Sequence, residues 1–397
     1  MNSSRPRVVI IGSGFGALFA AKQLADADVD IVLVAKTTHH LFQPLLYQVA
    51  TGILSPGEIA PATREILKHQ DNVQVLMSEV SDIDMASRTV TAEALGVVSH
   101  IAYDYLIVAA GAGQSYFGND QFAVFAPGMK SIDDALELRA RIFGALEVAE
   151  LTEDEGERRR LLTFVVVGAG PTGVEMAGQI RELTTKTVAH DYKSIDPTSA
   201  RVVLVDGGDV VLAPFGPKLS AKAKDKLEEI GVEVKLGALV TMVDADGVEL
   251  KYKDGTSERI EAGCKVWAAG VQASPLGKVI ADQSDAEVDR SGRLAVNPDC
   301  SVPGHPEVFV VGDMMSLDRL PGVAQVAIQS GEYAARKIRG EVEGEPVTAP
   351  FSYHDKGSMA VISKFGAVMK AGKVEMTGFP AWVAWLGLHL LYIVGFK

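Results

Sequence analysis

Residues 164–178 read Phe-Val-Val-Val-Gly-Ala-Gly-Pro-Thr-Gly-Val-Glu-Met-Ala-Gly, and this stretch decides the fold. Phe164–Val167 are four apolar residues, three of them β-branched, the pattern of a buried strand. Gly168, Gly170 and Gly173 then satisfy G-x-G-x-x-G. Gly168 permits a tight turn, Gly170 lets the backbone approach a pyrophosphate, and Gly173 lets the next helix pack close to the strand. The N-terminus of that helix, with Pro171 and Thr172 in its first turn, then points at the phosphates. The motif alone also fits a bare packing turn. The strand before it and the small-residue helix after it favour a dinucleotide.

The pattern occurs twice. Val8-Val9-Ile10-Ile11-Gly12-Ser13-Gly14-Phe15-Gly16-Ala17 is again a strand and a glycine turn, followed by an Ala-rich helix expected over Ala17 to Ala25. Ala17 takes the third position, which the fingerprint allows. Two such units in one chain imply two dinucleotides held close together. The simplest chemistry for that pair is hydride transfer, with the protein supplying orientation. The expected fold is α/β, with two Rossmann-like dinucleotide-binding domains.

A chain of 397 residues is too long for one core and suggests two or three domains. The net charge of −13 argues against nucleic acid, and also against attachment to anionic lipid by a polybasic patch. The two cysteines, Cys264 and Cys300, form no C-x-x-C and suggest a reducing compartment. The first strand begins by Val8, which leaves no room for a signal peptide. His39 and His40 stand together, but no further Cys, His or carboxylate sits at ligand spacing, so no metal is expected. The stretch from His39 to Gly52 reads as a loop crossing over a cofactor.

The ends of the strands carry the candidate binding residues. A ribose-binding acid belongs about 20 residues past the first glycines. Ala35 stands there, followed by Lys36, which is the candidate replacement contact. Asp104–Gly111 is a buried strand ending in Ala110 and Gly111, where a backbone can lie against a flavin or ribose. Lys265–Gly270 repeats it and ends in Ala269 and Gly270. After the second glycine turn, the strand Arg201–Val205 ends in Asp206, where the ribose-binding acid belongs. No Arg follows to accept a 2′-phosphate, which points to NADH rather than NADPH. A turn-forming Asp before Gly207 and Gly208 is the plainer reading. The first site then holds the other partner, for which FAD is the natural choice. Glu307–Asp313 is an apolar strand ending in Gly312-Asp313, where Asp313 suits ribityl hydroxyls or a helix cap. Gln325 and Gln329 lie four apart on one helix face, as surface glutamines often do. Ser131 to Glu150 is a predicted helix capped by Ser131, and Glu153 to Arg160 reads as a solvated turn.

Taken together, these residues resemble the type II NADH dehydrogenases, the single-subunit, non-pumping NADH:quinone oxidoreductases. The most specific pieces are His39 to Gly52, Gly168 to Glu175, Trp267-Ala268-Ala269-Gly270-Val271, Gly312-Asp313, Ala324 to Gln329, and Asp355-Lys356-Gly357-Ser358-Met359. The resemblance implies an FAD domain over 1–118 and 284–350, interrupted by an NADH domain over 119–283. It also implies a C-terminal membrane or dimer region over 351–397, in a family that continues through a further amphipathic segment. Gln325 and Gln329 match the family's A-Q-x-A-x-Q quinone box, and Glu175 would sit near flavin and nicotinamide. A homodimer on the cytoplasmic face of the cell membrane is expected. Phe379–Phe396 is apolar for 18 residues; its aromatic and interrupting residues suit an interfacial segment better than a span, and a buried dimer helix is the alternative. Ferredoxin or rubredoxin reductases, and a non-catalytic NADH sensor lacking flavin, are the rival readings. The first would leave the apolar C-terminus unexplained, and Ala35 favours the second.

Overall fold

The computed structural model describes residues 5–394. The fully buried run Val8–Ile10 forms the centre of a six-stranded sheet. Its order is Ser301–Val302, His305–Val310, Tyr105–Val108, Arg7–Ile11, Asp30–Ala35 and Val73–Met77, parallel except at the first pair. A second, wholly parallel sheet runs Val232–Leu236, Arg201–Asp206, Thr163–Val167 and Cys264–Trp267. In each sheet the strand that feeds the glycine turn has its partners on both sides, so the turn lies where the strand order reverses. Ligands bind at such switch points in doubly wound folds.

The chain crosses from the first sheet to the second along Ala112–Gln114 and returns along Val271–Ala273, and the two crossings pair antiparallel. The expected boundaries at 118 and 283 fall just beyond them. The returning chain completes the first sheet and enters the helix Ala324–Glu343. Gly331 of that helix sits so close to Gly16 of the helix Phe15–Gln23 that any side chain there would strike the Gly16 carbonyl.

The last segment is a three-stranded antiparallel sheet, Ser358–Ser363, Gly366–Ala371 and Val374–Thr377, followed by the helix Phe379–Val394. Its first strand lies directly on the helix Pro171–Glu182, with Gly178 against the backbone of Ile362. Residues 395–397, the end of the apolar stretch, lie outside the described residues. No helix among the described residues is long and apolar enough to cross a membrane.

Three local expectations need correction. The first helix starts at Phe15 rather than Ala17, because Gly14 takes the N-cap position and the glycine turn ends there. The stretch after His39 is partly helical, over Gln43–Leu45 and Leu46–Ala50. The charged segment is a helix, Glu155–Leu161, not a turn. Asp154 caps it through the Glu157 N–H, with acids in the first turn and arginines in the last, as the helix dipole favours.

Candidate active site

The two glycine turns are built alike. Gly12 and Gly168 have φ of +117° and +106°. Each donates its N–H across to the second strand of its unit, to Val34 O at 2.8 Å and Val205 O at 2.7 Å. Each presses on the third strand's end, Gly12 on the Ala109 carbonyl and Gly168 on Ala269 N, so neither has room for a side chain. Gly111 and Gly270 close those ends in the left-handed region, at +67° and +75°. Gly14 and Gly170 differ from these. Each is the N-cap of its helix, with nothing within 4 Å of where a Cβ would stand. Both open onto space in front of a helix N-terminus, the environment a pyrophosphate needs. Gly173 packs on the Gly168 carbonyl, and Gly16 on Ala327 O and Val311, which holds each helix against its strand. Pro171 and Thr172 form the first turn of the second helix, and Ala17 is buried in the first.

Near the first turn, Ser13 Oγ and Thr37 Oγ1 are 3.2 Å apart. The exposed Lys36 lies just past the end of its strand. His40 is fully buried, with Nδ1 2.8 Å from Ser13 O. Burial pushes it down to about 4, so it is neutral and braces the turn against the edge of Phe15. Gly312 has φ of +67° and donates to Ser330 Oγ at 3.1 Å. That turn presents Asp313 beside Lys130 and Arg293. Burial raises the carboxyl of Asp313, and the two cations oppose the rise. Arg293 is itself fixed by Leu320 O at 3.0 Å.

At the second turn, Asp206 is engaged by the protein. Its Oδ2 accepts from Ala169 N–H and its Oδ1 from Gly208 N–H, both at 2.6 Å. The carboxylate thus ties the strand end to the glycine turn. Gln114, on the crossing strand, donates its amide to Ala269 O and to Gly270 O, the latter at 2.8 Å. Trp267 Nε1 donates to Ser115 O at 2.9 Å. The crossing therefore fixes Ala269 and Gly270, which connects the two halves at the site.

Glu175 sits one turn into the second helix, part-buried, with Oε1 accepting from Val361 N–H at 3.3 Å. Burial pushes its carboxyl up to about 8. Its neighbour from the first half is Tyr47, buried on the short helix Leu46–Ala50. Burial and then the charge of Glu175 push that phenol well above its ordinary value. Gln48 Nε2 donates to the Tyr47 hydroxyl at 3.1 Å.

The two glutamines share a helix but not a role. Gln325 Nε2 donates to the Tyr392 hydroxyl of the last helix at 2.9 Å, and its Oε1 is buried without a hydrogen bond among the described residues. Gln329 clasps the backbone of His354. His389 of the same last helix stacks on Trp385 at 4.4 Å and meets Phe42 edge-on at 5.9 Å. The sequence motifs located the turns, and the stretches His39–Gly52 and Phe379–Phe396 contained His40 and Tyr392 without their contacts, but nothing pointed to Gln114, Lys130 or Arg293. No spacing marks these residues, because each reaches the site from a distant part of the chain.

The pyridine nucleotide-disulphide oxidoreductase family matches residues 6–331. The type II NADH:quinone oxidoreductase Ndh of Mycobacterium tuberculosis is 60% identical over 395 residues, covering 99% of this chain and 85% of that protein. A type II NADH:quinone oxidoreductase of Staphylococcus haemolyticus is 28% identical over 96% of this chain and 93% of its own length. Among solved structures, NDH2 of Plasmodium falciparum in complex with NADH superposes with a TM-score of 0.88 at 20% identity, over 99% of this chain and 96% of that one.

Proposed function

The chain belongs to the pyridine nucleotide-disulphide oxidoreductase family and, within it, to the type II NADH:quinone oxidoreductases, and from that membership we propose how its own residues divide the work. It is an FAD-dependent enzyme that passes electrons from NADH to a quinone without pumping protons. The observation that carries the assignment is the 60% identity over nearly the whole chain, on a fold with two equivalent dinucleotide turns.

The residues at the first turn fit FAD. Gly14 and Gly111 face open space at a helix N-terminus and a strand end, and Asp313 offers a carboxylate with no hydrogen-bond donor on it among the described residues. When bound, FAD supplies the two-electron chemistry that links a hydride donor to a quinone. Gly12, Gly14, Phe15, Gly16 and Ala17 would hold its pyrophosphate, with Ser13, Lys36 and Thr37 at the ribose. Ala110, Gly111, Gly312 and Asp313 would hold the remainder. Gly168, Gly170, Pro171, Thr172, Gly173, Asp206, Ala269 and Gly270 would hold NADH. The crossings at 112–114 and 271–273 support the division into an FAD domain of 1–118 and 284–350 around an NADH domain of 119–283.

Glu175 holds a proton near neutral pH at the junction of the two halves, which suits a group that manages protons near the flavin and nicotinamide. Gln325, whose buried Oε1 has no hydrogen bond among the described residues, is our candidate to meet a quinone, and Gln329 holds His354 one turn further along the helix.

The last helix supports a peripheral membrane contact. Ala381 and Trp385 face the protein, while Phe379, Val383, Leu390 and Leu391 are exposed. Such a face, too short to span, suits the membrane interface. Two buried free cysteines suit the reducing, cytoplasmic side. A homodimer completes the proposal and is tested by sedimentation of the purified chain.

The central test is the visible spectrum under anaerobic conditions. A flavin band should bleach on adding NADH and return on adding a soluble quinone. A flavin that NADH bleaches and quinone does not reoxidise would reject the acceptor, and a colourless protein that takes up no FAD would reject the cofactor.

A further inference from the structure

The charge of this chain is distributed unevenly, which its net value of −13 conceals. Residues 351–397 carry five lysines against two acids, a balance of +3, so the first 350 residues carry −16. Four of the five lysines, Lys356, Lys364, Lys370 and Lys373, lie on or beside the three-stranded sheet that precedes the last helix.

A helix of the nucleotide-binding half adds to them. The helix Pro217–Glu229 runs alongside the strand Gly366–Ala371. At its start, Lys218 pairs with Glu375 at 3.2 Å, and Lys370 Nζ approaches Gly216. At its end, the Lys226 side chain lies against Gly366. Lys218, Lys222 and Lys226 are four apart and form one row along this side. The acids Glu228 and Glu229 are occupied by Lys224 and Lys226, at 2.8 and 2.7 Å. Among the described residues, Lys222, Lys364 and Lys373 are exposed and in no ion pair.

The lysines adjoin exposed apolar surface. Lys364 Nζ lies 5.2 Å from the ring centre of Phe365, which is half exposed. Phe365 in turn meets Phe379 at 5.7 Å and Trp382 at 5.0 Å, the first turn of the last helix. Lys373 adjoins exposed Val374. An apolar face with a cationic rim is complementary to a surface of acyl chains beneath anionic headgroups.

We propose that the C-terminal face binds selectively to anionic phospholipid surfaces, and that the helix Pro217–Glu229 of the nucleotide half contributes part of the cationic rim. This rests on the peripheral-membrane reading above and adds to it the class of lipid. It also means that the whole-chain charge is a poor guide to the lipid, because most of the acids lie outside the C-terminal segment, which carries +3.

The test is co-flotation of the full-length protein with two kinds of vesicle, phosphatidylcholine alone and phosphatidylcholine with about a third phosphatidylglycerol, at low and high salt. Each lysine near an anionic surface is worth about fivefold in partitioning. The wild type should bind the anionic vesicles at least about tenfold more tightly, and salt should remove the difference. Lys222→Glu with Lys364→Glu should lose that gain while binding phosphatidylcholine as before. Equal wild-type binding to both vesicles would overturn the lipid selectivity, a double variant that keeps the gain would overturn the lysine rim, and either would leave the membrane reading standing. Binding to neither vesicle would overturn both. Flavin content and melting temperature report whether the variant folds. If it does not, the lipid and salt dependence of the wild type decides.

Discussion

Gln329 holds His354 by both ends of its amide: Nε2 donates to His354 O and Oε1 accepts from His354 N–H, each at 2.9 Å. The side chain acts as a strand would, and it pins the segment before the C-terminal sheet to the helix Ala324–Glu343. Gln329→Ala severs both bonds. His354 is exposed, so water replaces them in part, and the cost should be about 1–2 kcal/mol of stability. Gln329 lies one turn from Gln325 on the same helix, so on the proposed quinone reading the quinone KM should rise more than the NADH KM. Gln329→Glu keeps the acceptor for His354 N–H and should recover part of the stability. Steady-state kinetics with each substrate varied, alongside thermal melting, checks both statements.

Two glycines of the second helix should respond in opposite ways. Gly170→Ala meets no atom within 4 Å, so the protein should melt as the wild type does. The added methyl group instead occupies the approach to the pyrophosphate and should raise the NADH KM. Gly178→Ala drives a Cβ into the Ile362 carbonyl and should force the strand Ser358–Ser363 away, costing about 1–3 kcal/mol. A melting comparison of the two variants separates binding from packing.

Glu175 should make the protein's stability depend on pH. Its carboxyl is raised from 4.5 to about 8 in the folded chain, chiefly by burial. The unfolded chain ionises near the ordinary value, while the folded chain keeps its proton. The stabilising contribution is therefore complete below about pH 4.5 and is lost as pH rises through about 8. Glu175→Gln, neutral throughout, should gain stability relative to wild type between about pH 5 and pH 8.5. Parallel melting curves across that range would contradict the raised carboxyl. Its turnover with quinone should fall while its flavin remains bound.

Asp206 joins two backbone segments, and in the proposed reading it also borders the NADH site. Asp206→Ala leaves Ala169 N–H and Gly208 N–H without their acceptor, and it should raise the NADH KM by about tenfold, the equivalent of 1.4 kcal/mol. Asp206→Asn retains one acceptor and should fall between the two. An unchanged KM in the Ala variant would remove Asp206 from the NADH site.

Much of this enzyme was legible in its sequence because its dinucleotide turns are local. A strand, a glycine turn and a helix N-terminus are contiguous in the chain, and the turn's conformation admits only glycine at Gly12 and Gly168. A reader of residues 8–17 and 164–178 therefore needs no tertiary information to find them. The same holds for Ala110-Gly111 and Ala269-Gly270, whose repeat reflects a repeated fold. Glu153 to Arg160 reads as a turn although the helix Glu155–Leu161 forms there, because a short capped helix and a charged turn share a composition, and the helix buries only Leu161.

The sequence by itself determined the two glycine turns and the α/β fold they belong to, since each is a short motif with fixed backbone requirements, and its resemblance to a known family gave the reaction class. Only the tertiary structure decided what the polar side chains do. It set Gln329 to clasping His354 and, among the described residues, left the buried Oε1 of Gln325 without a hydrogen bond, although the motif presents the two as equals. It brought Tyr47 of one half to Glu175 of the other, and Gln114 to Ala269. It also laid a row of lysines from residues 218–226 beside the C-terminal sheet. The physical reason is the range of the interactions. Backbone conformation is set by adjacent residues, whereas burial, proton affinity and the local sum of charge depend on which distant segments pack together.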